Sequence, residues 1–376
     1  MFKPFGGHLA ADWPSQRHYV LDEGRVSEGE INQFGNTLAE IIHLETSPEP
    51  EPVLHFISRL ALRMTSLLQR TTAQALFAAL ALCSTLASAT DILFIGNSFT
   101  HAAGSAVRTW RADSVNDMNA QGFGGMPALF KAFTQQAGLK YEVSLETQGG
   151  VGIDWHLQNK LGVIGQRPWD MVVMHGYSTL DAKKPGDPAT LISSTQQMAE
   201  FLVARNPRVD VRLLATWTRA DLTYEAKGAW YGQPIEAMGR VVRAGYAQAA
   251  AASPIVKGVI PVGDAWLRAM ASGVADPNPY DGIEAGKLDL WTYDHYHASS
   301  YGYYLEALVV FGAITGRDPR SLGDNECAGF ELGMSTAQVA ALQQVAFDEL
   351  ASHGSVKPAP LRPSPSGAPM NCPRWR

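Results

Sequence analysis

The chain has 376 residues, 46% hydrophobic and 18% charged, with a formal net charge of −6. That is the balance of an ordinary globular protein rather than a disordered, fibrous or membrane-embedded one. No lysine/arginine block interrupts it, which argues against a nucleic-acid partner.

In chain order, residues 1–63 show no steady apolar period and carry the loop-like run Ser47-Pro48-Glu49-Pro50-Glu51-Pro52. They are expected to be an upstream reading-frame extension ahead of a start at Met64, or a disordered tail. Residues 64–89 read as an export signal: Arg70 precedes an apolar run from Ala75 to Leu86, and Ala87-Ser88-Ala89 offers small residues for cleavage. The run is shorter than the roughly 20 residues a spanning helix needs, so no stable membrane anchor is expected. The working protein then begins at Thr90, in the periplasm or outside the cell. Cys83 leaves with the signal, and Cys327 and Cys372 are expected to form a disulfide in that oxidising setting.

From Thr90 onward, short β-rich runs alternate with helical stretches. The expected strands are Asp91–Ile95, Tyr141–Glu146, Met171–Met174, Val211–Ala215 and Val256–Val262. The expected helices are Pro127–Gln136, Ala189–Ala204, Gln233–Ala252 and Tyr301–Thr315. This alternation predicts an α/β domain over 90–355, a parallel sheet with helices on both faces, followed by a Pro-rich tail at 356–376. Ligands of such sheets bind beyond the carboxyl ends of the strands.

Two motifs fall where that rule points. Gly96-Asn97-Ser98-Phe99-Thr100 follows the first strand, where glycine permits a sharp turn and a serine is set among unpaired N–H groups. Such a place suits a nucleophile beside an oxyanion site. Tyr293-Asp294-His295-Tyr296-His297 precedes the last of the four expected helices. A serine hydroxyl needs a base to take its proton, and the base needs an acid to fix its tautomer. Asp294 and His297, three apart, share one face of a turn, whereas His295 points elsewhere. A metal site on Asp294, His295 and His297 is the rival reading, but no H-E-x-x-H or second ligand set accompanies it, and neither metal nor cofactor is expected. Trp217, Trp230, Tyr231 and Trp291 read either as loop aromatics that would face a sugar or as core rings.

Together, the GNS block after the first strand and the run from Asp294 to Leu305, with its D-x-x-H and following Gly302 and Leu305, resemble blocks I and V of the SGNH/GDSL hydrolases. The resemblance covers residues 91–317 and implies a flavodoxin-like three-layer α/β/α sandwich with a five-stranded sheet in the order 2-1-3-4-5. It implies a secreted ester hydrolase with Ser98 as nucleophile, His297 as base and Asp294 as its orienting acid. The substrate would be a small-molecule or carbohydrate ester; lipids and thioesters are substrates of the same superfamily, and a non-catalytic glycan-binding protein is the alternative from another class. Block II of that family, a glycine whose N–H faces the oxyanion, corresponds to Gly150. Block III is normally an asparagine; here His175 stands in its place, either donating through a ring N–H or packing under the loop.

Overall fold

The computed structural model describes residues 89–324 and 326–360, together with Arg59. The chain divides into Met1–Ala87 and Ser88–Arg376, and the described fold lies in the second unit. Apart from Arg59, the upstream extension lies outside the described residues, as do nearly all of the proposed signal segment and Cys372.

β1 (Thr90–Gly96) runs Ile92-Leu93-Phe94-Ile95 without alternation, the pattern of a strand covered on both faces. It sits at the centre of the sheet, parallel to β3 (Tyr141–Thr147) on one side and to β4 (Met171–Met174) on the other. Beyond β4 lie β5 (Asp210–Leu214) and β6 (Val256–Ile260); beyond β3 lies β2 (Asn116–Asp117). The order is β2-β3-β1-β4-β5-β6, and every neighbouring pair is parallel.

The sheet thus has six strands where five were expected. The extra strand is two polar residues paired with Ser144 and Leu145. With no apolar run it leaves no strand pattern in the sequence. Without it, the order is the expected 2-1-3-4-5. The last strand ends at Ile260 rather than Val262, because Pro261 cannot extend the ladder and Val262 already opens a helix.

Seven main helices complete the fold: α1 (Gly125–Gln136), α2 (Ile153–Asn159), α3 (Ala189–Val203), α4 (Glu236–Ala251), α5 (Val262–Ala271), α6 (Ser300–Thr315) and α7 (Thr336–Ser352). Successive residues of β1 face opposite cores. Ile92 and Phe94 pack with Phe130 of α1, Trp266 of α5, Phe311 of α6 and Leu350 of α7. Leu93 and Ile95 pack with Leu191 and Met198 of α3 and with Tyr246 of α4. The result is the three-layer α/β/α sandwich. Among the described residues no helix is long and apolar enough to cross a membrane.

α6 is buried without a break from Gly302 to Gly312, so it is a core helix packed against α1, α5 and α7 rather than an amphipathic surface one. It carries an acid into that core. Glu306 is fully buried and neither carboxyl oxygen has a hydrogen-bond partner among the described residues. Burial disfavours the charged form and pushes its pKa well above the ordinary glutamate range. An acid whose pKa is raised by folding destabilises the fold increasingly as pH rises above its unfolded value. Glu306→Gln is therefore expected to raise Tm at pH 8 and to leave it nearly unchanged at pH 4, in paired thermal melts.

Candidate active site

The carboxyl ends of β1, β3 and β4 lie side by side, with Gly96 level with Thr147 and Ile95 level with Met174. Ser98, Gly150 and His175 each follow one of these ends closely. The side chain of Asn97 ties the three together. Its Nδ2 donates to Val151 O at 2.9 Å and to Gly176 O at 3.2 Å, and its Oδ1 accepts the Phe99 N–H at 3.1 Å. The Asn97 carbonyl accepts from Thr100 and His101 N–H, which winds the chain through Ser98 in a helical turn. The N–H groups of Ser98 and Gly150 make no hydrogen bond among the described residues. Gly150 has φ of +75°, a conformation that favours glycine.

Gly96 is required for a different reason. A Cβ there would collide with Thr100 Oγ1 and His175 Nε2, which sit directly over its Cα. These two atoms are 2.8 Å apart, and His175 Nδ1 lies 3.0 Å from Gly176 O. A carbonyl only accepts, so Nδ1 carries the proton and Nε2 accepts the Thr100 hydroxyl. Burial drives the His175 pKa down to about 4, which keeps the ring neutral in this tautomer. Both ring nitrogens are occupied and the side chain is buried. In this arrangement His175 fixes the Ser98 turn from below, with both ring nitrogens engaged.

Beneath the same turn lies a buried histidine–glutamate pair. His156 Nε2 is 3.0 Å from Gly96 O, and its Nδ1 pairs with Glu146 Oε2. Glu146 also accepts from Asn119 Nδ2 at 3.1 Å and lies 3.7 Å from Lys160 Nζ. Burial opposes its charge, but the hydrogen bond and charge of His156, then Asn119 and Lys160, outweigh it and hold its pKa below the usual range.

Asp294 and His297 form the second half of the site. His297 Nδ1 lies 2.6 Å from Asp294 Oδ2, while Asp294 Oδ1 accepts the N–H groups of Tyr296 at 3.0 Å and His297 at 2.9 Å. Partial burial opposes ionisation of Asp294, but the His297 ring and these two N–H groups overcome it and lower its pKa. With Nδ1–H directed at the carboxylate, the lone pair of Nε2 is the free one. That nitrogen is buried and has no hydrogen-bond partner among the described residues.

Several contacts dock this loop on the Ser98 turn. Phe99 meets the His297 ring edge-on at 5.8 Å and stacks on Trp217 at 3.9 Å. Trp217 Nε1 donates to Tyr296 O at 3.2 Å, and Tyr303 O–H donates to Ser98 O at 3.3 Å. His295 turns away, at φ of +54°, with its ring against Tyr280. Of the aromatics expected to face a sugar, Trp217, Trp230 and Trp291 are instead buried, and only Tyr231 is exposed. Trp217 stacks beneath Phe99 and Trp291 packs on Trp266 next to it, whereas Trp230 belongs to the core on the opposite face of the sheet. Asp294, His295 and His297 do not converge as ligands. Among the described residues, Asp264, Glu349 and His353 bring ligand atoms within 4.8 Å of one another, but Arg243 and Arg268 already pair with the two carboxylates.

The motifs gave no sign of the supporting shell. Asn97 reads as an ordinary helix cap, and Thr100 and His156 carry no spacing signal. Glu146 had one: an acid on a strand whose neighbours are buried is unusual unless it is paired.

No protein-family model matches this chain, and no curated protein does. Solved structures similar to it include a DUF4886 family protein from Bacteroides uniformis, at 17% identity and a TM-score of 0.49, spanning 72% of this chain and 98% of that one. A protein from Slackia heliotrinireducens provisionally described as an SGNH hydrolase matches at 22% identity and a TM-score of 0.41, over 60% of this chain and all of its own. A family 3 carbohydrate esterase from Clostridium thermocellum matches at 14% identity and 0.39, over 60% and 94%.

The packing over Gly96 yields a direct test. Gly96→Ala forces the Thr100–His175 pair apart, and overpacking of this kind costs about 1–3 kcal/mol. Denaturant unfolding should show a loss of that size, whereas an unchanged midpoint would mean the pair can shift freely.

Proposed function

We propose that the protein is a serine ester hydrolase in which Ser98, His297 and Asp294 act as nucleophile, base and orienting acid. The observation that carries this reading is the buried, unpartnered Nε2 of His297, its tautomer fixed by Asp294 and its ring set against Phe99, the neighbour of Ser98. A buried acceptor without a partner costs about 1–3 kcal/mol, so its retention asks for a use. Hydrogen bonds of catalytic groups are often loose before substrate arrives.

In this mechanism Ser98 Oγ attacks the carbonyl carbon of the ester and its proton passes to His297 Nε2. The negative charge on the former carbonyl oxygen meets the N–H groups of Ser98 and Gly150. Collapse expels the alcohol, which takes the proton from His297, and leaves an acyl group on Ser98. Water, deprotonated by the same imidazole, attacks that acyl group; a second collapse releases the carboxylic acid and returns the proton to Ser98. Asp294 stays ionised throughout and steadies the imidazolium.

The substrate class in this reading is a carboxylic ester, with O-acetylated carbohydrate the first to examine, since Tyr293 beside Asp294 is widely exposed. Export through the 64–89 segment and a Cys327–Cys372 disulfide belong to the same proposal.

The test is hydrolysis of p-nitrophenyl acetate by the purified protein. Ser98→Ala should reduce turnover to background and Asp294→Asn should lower kcat by orders of magnitude, because the ring loses its fixed tautomer. Equal rates for wild type and Ser98→Ala would instead favour a non-catalytic binding protein on this fold.

A further inference from the structure

The hole described above has two backbone donors, and His175 is committed elsewhere. A second histidine lies closer. His101 is in the same helical turn as Ser98: its N–H bonds to Asn97 O at 3.1 Å, and Ala103 N–H bonds to Ser98 O at 2.9 Å. Residues three apart in such a turn share a face. The ring packs on Phe123 at 4.7 Å between centroids. Its Cε1 is the nearest heavy atom, at 3.9 Å, to where a side chain on Gly149 would begin. The imidazole therefore lies between the Ser98 turn and the Gly149–Gly150 turn, whose N–H groups face the reacting oxygen in the proposed mechanism.

The tautomer follows from its partners. His101 Nδ1 is 3.2 Å from Thr147 Oγ1, at the end of β3. Thr147 is fully buried and its hydroxyl has no other partner among the described residues. An unbonded hydroxyl proton there would cost about 1–3 kcal/mol, so Thr147 donates to Nδ1. The ring is then protonated on Nε2 alone. Burial, and then the charges of Arg108 and His297, bring its pKa down to about 4 against the pull of Asp117, so the ring is neutral at ordinary pH. Nε2 meets no partner among the described residues and is not sealed from solvent.

We propose that His101 Nε2–H is the side-chain donor to the substrate's carbonyl oxygen as negative charge develops on it, completing the hole formed by the Ser98 and Gly150 N–H groups. Thr147 is the positioning residue that holds the required tautomer. The inference rests on the esterase reading above.

The experiment measures kcat and KM on p-nitrophenyl acetate for wild type, Ser98→Ala, His101→Ala, His101→Gln and Thr147→Val, with a thermal melt of each. Loss of one such donor typically costs about 10²–10³ in rate. His101→Ala is expected to lower kcat at least about tenfold with KM nearly unchanged. His101→Gln, which keeps an N–H donor, should recover part of the loss, and Thr147→Val should fall between, because the ring is then free to take the other tautomer. His101→Ala at near wild-type kcat beside an inactive Ser98→Ala would overturn this inference alone. So would equal losses in His101→Ala and His101→Gln that track a lowered Tm. Turnover in wild type that does not depend on Ser98 would remove the esterase reading and this inference with it.

Discussion

The chain leaves the centre of the sheet at Gly96 and must turn at once, in a place where the ends of two other strands also emerge. Asn97 resolves that crowding. One primary amide bonds the carbonyls of Val151 and Gly176, while its oxygen closes the turn onto Phe99 N–H. Three loops are thereby held in one frame, and Ser98 projects from it. Remove that amide and each loop would have to find separate anchors for its backbone groups, which a buried site rarely offers.

Beneath the frame, two histidines act as props rather than as reagents. His156, paired with Glu146, holds Gly96 O; His175, neutral, accepts from Thr100 and donates to Gly176 O. Such polar networks are stabilising only when each member is satisfied; His297 Nε2, above this one, has no hydrogen-bond partner among the described residues. Rigidity under the site and an unspent lone pair within it are the two conditions a preorganised base requires.

The layers of this fold were legible because short β-rich runs alternate regularly with helical stretches. β1 shows it best: four unbroken apolar residues announce a strand covered on both faces. β2 escaped, since Asn116 and Asp117 pair through backbone groups and carry no pattern. The Asp294–His297 pairing was legible too, because a three-residue separation brings the two side chains together locally. His175 was placed correctly at the end of its strand, but its partners come from Thr100 and its own neighbour's carbonyl, and only tertiary structure reveals that both nitrogens are taken. The tryptophans misled for a similar reason: Trp217 has loop-like neighbours in sequence yet stacks between Phe99 and Trp266.

The central claim is that Ser98 is a nucleophile activated by His297. Mass spectrometry after treatment with a fluorophosphonate measures this without a choice of substrate, since the reagent phosphonylates an activated serine and loses fluoride. The expected result is one adduct per chain on the peptide containing Ser98, absent in Ser98→Ala and formed far more slowly in His297→Ala. No adduct on Ser98, or one formed equally fast without His297, would contradict the account.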